Sequence, residues 1–298
     1  MSLQKSRKFP MREKPIFIIG NNRSGTSLLR LMLTCHEEIV IPPESHFMLW
    51  NYDKYHDWKP TYGYDFLLSD IFASTKFETW ELSRFELKKF LESRNPLSYS
   101  EVVADIYIYY GVKHNKNAIL WGDKNSLWVE KLPTLYLLFR RARFIHIIRD
   151  GRDIAASYIG LNHFSGEKNK YFPKLPSKID QIAELWNNNI NSIAKFLSSL
   201  PKQNYVEIKY EDLICNNKAT IDKLLNFLNL HPSSSVFLYH EINKVKNYEP
   251  KEFLNWKEKL NEPLDRSNIG KYKQELKPAE ITLFEHIATE ALTKYGYK

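Results

Sequence analysis

The 298-residue sequence predicts an α/β fold, a central and mainly parallel sheet flanked by helices in three layers. Three observations predict it. Short apolar runs, among them 16–19 (Ile-Phe-Ile-Ile) and Phe144, Ile145, Ile147 and Ile148 around one histidine, suit strands buried on both faces. Each is followed at once by turn residues and then by a segment of helical periodicity. The composition, 43% hydrophobic and 14% aromatic, excludes a disordered, collagenous or low-complexity chain and supplies a large core.

In chain order, the strand at 16–19 closes on Gly20, and Asn21 to Gly25 supply a turn. Residues 26–34 then form a helix with Leu28, Leu29, Met32 and Leu33 on its apolar side. A second strand at 39–41 ends in Pro42-Pro43-Glu44-Ser45-His46, and eight aromatic residues follow between 47 and 66. Helices are expected at 84–92 and 98–112, a short strand at 118–121, and a helix at 127–140 after the turn Gly122 to Ser126. Another buried strand, 143–148, runs into Arg149-Asp150-Gly151-Arg152-Asp153 and a helix through Tyr158. Residues 161–178 are polar, lysine-bearing and broken by prolines, which predicts a surface loop. Ile179, Ile182, Trp186, Ile193, Phe196, Leu197 and Leu200 trace one helix face. A strand at 205–208, a helix at 220–230 and a terminal helix at 278–295 complete the chain. No repeat or shift in composition divides it, so one domain over 1–298 is expected, with a basic, flexible segment at 1–14.

The charge balance, 43 Lys and Arg against 35 Asp and Glu, is +8 and points to an anionic partner. Two cysteines, Cys35 and Cys215, cannot staple a chain of this size and read as reduced thiols. The basic N-terminus lacks an apolar stretch of signal-peptide length, and no window approaches the roughly 18 apolar residues of a membrane span. A cytoplasmic protein without stable membrane insertion is the expectation.

Two loops carry the chemistry. Gly20-Asn21-Asn22-Arg23-Ser24-Gly25-Thr26-Ser27 has the G-x-x-x-x-G spacing of a Walker A loop between a strand and a helix N-terminus. Its backbone N–H groups can converge on a phosphate, and Ser24, Thr26 and Ser27 add hydroxyl donors. Thr26 stands where the triphosphate-gripping lysine would be, so the fold is P-loop-like but the loop argues against Mg²⁺ and a triphosphate. The second loop opens at Arg149, at the carboxyl end of its strand where open α/β sheets place ligands. Ser157 follows about two helical turns on, and an arginine fork with a hydroxyl suits a second phosphate. Asp150 fits either a Walker B acid or a salt-bridge partner for its flanking arginines. Two phosphate sites on one sheet imply a nucleotide with phosphates at separate positions.

Arg23-Ser24-Gly25-Thr26-Ser27 together with Arg149-x₇-Ser157 resembles the paired signatures of the sulfotransferase family, with supporting matches at 205–213 and 267–272. The Arg-Ser-Gly-Thr-Ser form and Pro43-Glu44-Ser45 are most similar to the branch of tyrosylprotein and many bacterial sulfotransferases. The resemblance implies a metal-independent enzyme that takes 3′-phosphoadenosine 5′-phosphosulfate as donor and releases adenosine 3′,5′-bisphosphate. It implies Arg23, Ser24, Gly25, Thr26 and Ser27 at the 5′-phosphosulfate, and Arg149 and Ser157 at the 3′-phosphate. Tyr210 of Tyr210-Glu211-Asp212-Leu213 would contact the nucleotide, and Ser267 to Tyr272, with Ser267 and Lys271, would close over it. The bland reading of Tyr210 and its acidic neighbours is a helix start.

For the base the resemblance implies Glu44, with His46 as rival because an imidazole titrates near neutrality. The cytosolic branch carries a Lys-x-His whose histidine is the base, but here that stretch is Lys124-Asn125-Ser126. Lys124 remains to stabilise the transferring sulfuryl group, with Arg23 beside it. The aromatics at 47–66 are either core or an acceptor pocket; the second reading points to a hydrophobic small-molecule alcohol such as a sterol, lipid or phenol. Peptidyl tyrosine and carbohydrate are the alternative acceptors. A P-loop kinase and a basic polyanion-binding module are the alternative classes, although nucleic acid is not the expected partner because the arginines fall at strand ends rather than in one tract.

Overall fold

A computed structural model of the chain describes residues 12–114, 116–164 and 169–298. The expected flexible segment at 1–14 lies, up to residue 11, outside the described residues. Five strands form one sheet: β1 (Ile16–Ile19), β2 (Ile39–Val40), β3 (Leu120–Lys124), β4 (Arg143–Ile148) and β5 (Tyr205–Lys209), in the order β2-β3-β1-β4-β5. Every pairing is parallel, with Ile16 opposite both Gly122 and Arg143, Ile39 opposite Leu120, and Phe144 opposite Tyr205.

The period-2 alternation of a strand splits the core into two layers. Phe17, Ile19 and Phe144 face the helices Tyr99–Lys113 and Ile179–Ser198, while Ile16, Ile18, Ile145 and Ile147 face Thr26–Cys35 and Asn217–Leu228. β1 is buried on both faces, which is why its four residues are all apolar. The Thr26–Cys35 helix is buried almost all round, Leu31 included, whereas Leu28 of the expected apolar side is only half-buried. Among the described residues no helix is long and apolar enough to cross a membrane.

Several elements differ from expectation for identifiable reasons. β3 lies at Leu120–Lys124, not 118–121. Gly122 is therefore no turn residue: a Cβ there would sit 2.5 Å from the Ile16 carbonyl oxygen, so glycine permits the close approach of β1. Lys124 becomes the last residue of a strand rather than part of a loop. β2 stops at Val40 because Ile41 turns to the helix instead: its N–H donates to Thr34 Oγ1 at 2.8 Å, and its carbonyl accepts from Arg30 Nη1 at 3.0 Å.

The expected helix at 127–140 divides into a 3₁₀ turn, Ser126–Lys131, and an α-helix, Leu132–Leu138, which opens on Pro133. Proline fits a first helical turn but cannot accept the chain continuing as an α-helix through it. The 220–230 helix runs over Asn217–Leu228, halted by Asn229 at φ 56°, and is preceded by Tyr210–Cys215. The terminal helix breaks at Ala288 into Pro278–Ile287 and Thr289–Lys294, where the Thr289 hydroxyl bonds back to the Glu285 carbonyl.

Two stretches are only partly as read. The helix after β4 continues to Asn162, and residues 165–168 of the expected loop lie outside the described residues. Tyr171, Phe172 and Leu175 are no free surface loop but pack on Phe253 and Trp256. Of the aromatics at 47–66, Phe47, Tyr55, Trp58 and Tyr64 belong to the core, while Trp50, Tyr62 and Phe66 are exposed.

Candidate active site

The loop after β1 is shaped by its glycines. Gly25 has φ 94°, and a Cβ on it would lie 2.5 Å from Cδ2 of Tyr210, so only glycine fits between helix and ring. As the N-cap of Thr26–Cys35 it offers no side-chain oxygen, and the first turn holds no acidic residue. The free N–H groups at this helix start are thus left for an outside anion. Ser24 Oγ is turned back onto the Asn21 carbonyl at 2.5 Å. Arg23, at φ 67°, sends Nε to Ser157 Oγ at 3.1 Å, joining the two predicted phosphate loops.

Arg149 emerges from the end of β4 against the same loop. Its Nη1 donates to the Arg23 carbonyl at 2.8 Å and its Nη2 to the Asn268 carbonyl at 2.6 Å, and the guanidinium lies 4.5 Å over the Tyr210 ring. Among the described residues, Arg149 Nε is buried with no partner, and neither Arg23 nor Arg149 forms an ion pair. Burial, with Arg149 alongside, pushes Arg23 down to about 10. Two neighbouring guanidinium groups without an ion-pair partner among the described residues, beside an open helix N-terminus, form an anion site; the neighbouring acid, Asp153, spends its carboxylate on backbone N–H groups.

Asp150 takes no part in it. Its carboxylate caps the following helix at Arg152 N, 2.9 Å, and grips Arg152 through Nε at 3.0 Å and Nη2 at 2.7 Å, which settles its two sequence readings in favour of the salt bridge. Asp153 accepts from the N–H groups of Gly270 at 2.8 Å and Tyr272 at 3.1 Å, and so fastens the 266–272 segment over the arginines. Lys271 pairs with Glu275 at 3.1 Å; burial lowers its amine, with Arg149 and Arg23 adding to the effect. Ser267 makes no hydrogen bond to either arginine. It is exposed, and its hydroxyl is engaged by Asp265 and, at 2.6 Å, by Lys259, because Asp265 caps the short turn it begins. Asn268, through its carbonyl, is the residue that meets Arg149.

The third part gathers around Glu44. Lys124 Nζ lies 2.5 Å from its Oε2, Lys76 Nζ contacts Oε1, and His46 Nε2 stands 3.4 Å from Oε1. Burial would raise the Glu44 carboxyl, but Lys124, Lys76 and His46 overcome it and hold the group well below the usual carboxylate range. His46 packs against the exposed Trp50, ring centroids 4.5 Å apart and planes tilted by 57°, and its Nδ1 has no partner among the described residues. Lys124 is almost fully buried, not solvent-facing. The Ser126 hydroxyl donates to Asn22 Oδ1, and Asn125 Nδ2 to the Ser45 carbonyl at 3.2 Å. These bonds tie β3's end to both the phosphate loop and the Glu44 segment.

Sequence reading misses Lys76, Lys257, Asp153 and Asn268. Only Asp153 carries a signal, an acid in the first turn of a helix next to the second motif. Lys257 is paired with Glu249 at 2.5 Å, and Glu249 also holds Arg30 at 2.5 Å. Burial would raise Glu249, but Lys257 and Arg30 bring it down to about 2. A carboxylate lowered in the fold stabilises above its unfolded value and loses that contribution as pH falls through the folded one. The difference in urea midpoint between wild type and Glu249→Gln is therefore expected at pH 7 and should close as pH falls from about 4.5 toward about 2.

A sequence profile of the Sulfotransferase family matches residues 15–233. The chain belongs to this family. A "Putative protein-tyrosine sulfotransferase" of Caenorhabditis briggsae is 25% identical over 241 residues, covering 77% of this chain and 70% of that protein. The chain spans only 42% and 52% of two further protein-tyrosine sulfotransferases, from Drosophila melanogaster and Caenorhabditis elegans. Among solved structures, the sulfotransferase domain from the curacin biosynthetic pathway has a TM-score of 0.59 at 23% identity, over 95% of this chain and 98% of that one. Mouse sulfotransferase SULT7A1, solved in complex with PAP, has a TM-score of 0.50 at 16% identity, over 95% and 85%. At these identities the structures establish the sulfotransferase fold, and the profile match makes the chain a sulfotransferase.

Proposed function

We propose that this sulfotransferase moves the sulfuryl group of 3′-phosphoadenosine 5′-phosphosulfate to a phenolic hydroxyl, with peptidyl tyrosine as the acceptor class. The observation that carries the donor is the Arg23–Arg149 pair, two cations with no ion-pair partner among the described residues. Arg149, Ser157 and Lys271 would hold the 3′-phosphate, and Arg23 with the N–H groups at the Thr26–Cys35 N-terminus the 5′ end. Lys124 would balance charge on the sulfuryl oxygens. Glu44 would accept the acceptor's proton as the acceptor oxygen bonds to sulfur, and the sulfur–oxygen bond to the 5′-phosphate breaks with its electron pair going to that phosphate.

The acceptor reading departs from the small hydrophobic alcohol expected from the aromatic stretch. Phe47, Tyr55, Trp58 and Tyr64 are committed to the core, which removes most of that argument, and three relatives bear the name of protein-tyrosine sulfotransferases. Exposed Trp50 beside His46 offers an aromatic face next to Glu44, suited to a phenol ring.

A thermal-shift titration tests the donor. Adenosine 3′,5′-bisphosphate should raise the melting temperature while 5′-AMP and Mg²⁺·ATP at equal concentration do so far less; a larger shift with Mg²⁺·ATP would return the kinase reading. For the acceptor, labelled sulfate from the donor should appear on a tyrosine-containing peptide. Label on a long-chain alcohol or sterol but not on the peptide would reinstate the small-molecule acceptor.

A further inference from the structure

Glu44 is held by two lysines on two different oxygens, and the lysines are mounted differently. Lys124, on Oε2 at 2.5 Å, ends β3 two residues before Ser126, whose hydroxyl bonds to Asn22 in the phosphate loop. It therefore sits at the strand end that touches the phosphate loop. Lys76, on Oε1, arrives from the other side, on the turn before the 3₁₀ element Phe77–Trp80. It belongs to neither motif of the chain.

That turn is pinned to the Glu44 segment on both sides of residue 44. Trp80 Nε1 donates to the Pro43 carbonyl at 2.9 Å, His46 N to the Thr75 carbonyl at 3.3 Å, and Asn51 Nδ2 to Ser74 Oγ at 2.9 Å. Lys76 itself is left-handed at φ 69°, and Thr79 closes the turn by donating its hydroxyl to the Lys76 carbonyl at 2.7 Å. Its ammonium also lies 5.7 Å over the Phe253 ring, which carries Lys257 at 5.0 Å. The charged or titratable groups facing Glu44 are thus Lys124 and the buried Asp123 from β3, Lys76 from this turn, His46 from its own segment, and Lys257, already paired with Glu249; Asp123 is pushed up to about 6, chiefly by burial, with Glu44 adding to it.

We propose that Lys76 is a positioning residue for the base: it keeps Glu44 Oε1 in an ion pair throughout the cycle, so that Oε2 alone passes from Lys124 to the acceptor hydroxyl. The proposal rests on the reading of Glu44 as base. A carboxylate with both oxygens paired to ammonium groups is a weak proton acceptor. A negatively charged donor draws Lys124 away from Oε2, and proton affinity then rises on that oxygen only. Lys76 stops the carboxylate from rotating when its other partner leaves. Base activation is in this way coupled to donor binding, with Lys124 as the exchanged contact and Lys76 as the fixed one.

The test compares wild type with Lys76→Met and Lys76→Arg. In the unliganded full chain, the Glu44 carboxyl is followed by ¹³C NMR titration, its signal assigned by its absence in Glu44→Gln. Lys76→Met should titrate at higher pH than wild type, and Lys76→Arg close to wild type. In turnover, Lys76→Met should lower kcat by about 10- to 100-fold, the range expected for a misplaced catalytic group, and move the acid limb of its pH profile upward. Donor KM and the bisphosphate thermal shift should stay unchanged, which separates the effect from misfolding. An unmoved Glu44 titration overturns the proposal, as does a moved titration with wild-type kcat and pH profile. Absence of sulfuryl transfer in wild type would instead count against the proposed function, and the NMR titration would still decide whether Lys76 holds Glu44.

Discussion

Glu44→Gln is expected to lower kcat by about 10²- to 10⁴-fold, the usual contribution of a general base, and to leave affinity for adenosine 3′,5′-bisphosphate within about twofold. Glutamine keeps the shape and one acceptor oxygen for Lys124 or Lys76 but cannot take a proton. The separation of effects follows from the geometry. Glu44 belongs to the Lys124–Lys76–His46 cluster, whereas the proposed nucleotide contacts run through Arg23, Arg149, Ser157 and Lys271. The substitution leaves two lysine ammonium groups facing each other without a counter-charge, so the variant should also be less stable than wild type at neutral pH. That gap should shrink in acid: the lowered Glu44 carboxyl stabilises only above its unfolded value, and the contribution fades as pH falls through the folded one. Single-turnover transfer and calorimetric bisphosphate titration check the pair of outcomes. If His46→Asn suffers the larger loss of turnover and Glu44→Gln the smaller, the imidazole is the base.

The parts of the fold legible in the sequence are those where one local signal decides. β1 is an unbroken apolar run, and β4 after Arg143 is one interrupted only by His146, because both their faces are covered, and so short a run closed by turn residues leaves little room for anything but a buried strand. The Ile179–Ser198 helix shows its periodicity over 20 residues. The misplaced elements are those governed by a distant partner. Gly122 reads as a turn because nothing near it in sequence announces that the Ile16 carbonyl will press against it. Ile41 looks like a third strand residue, yet Thr34 and Arg30 satisfy its backbone from across the layer.

The site divides in the same way. The two phosphate loops are legible because each is a contiguous strand–turn–helix passage, where backbone geometry and side chains are encoded together. The cation cluster around Glu44 is assembled from positions 44, 76 and 124 and approached by 257, four separate passages of chain. Glu44 and Lys124 are legible only through resemblance. Lys76 has no neighbour in sequence to mark it, and Lys257 sits in an unremarkable charged stretch. Ser267 shows the converse limit, since a motif match fixes the segment but not which of its atoms face the arginines.

Arg149→Ala should weaken adenosine 3′,5′-bisphosphate binding more than any other single substitution in the site. Truncating one partner of a buried charge pair costs roughly 2–5 kcal/mol, or about 30-fold to a few thousandfold in Kd. The empty protein should nevertheless melt close to wild type, because two effects oppose each other. The variant loses the bonds to the Arg23 and Asn268 carbonyls at 2.8 and 2.6 Å. It also removes a like charge from beside Arg23, whose guanidinium is pushed down to about 10 by burial with Arg149 alongside, and which regains part of its proton affinity when Arg149 is gone. Arg149→Lys should fall between the two proteins, since an ammonium restores the charge but not the fork that spans two carbonyls and lies over Tyr210. Calorimetry for affinity and a melting curve without ligand read the two quantities separately. Wild-type affinity in Arg149→Ala would mean that the unpaired guanidinium serves the loop's architecture alone, holding Arg23 to Asn268. A large drop in stability accompanied by a matching loss of binding would say the same. Loss of affinity at near-constant stability is the outcome that a cation kept unpaired for an incoming phosphate requires.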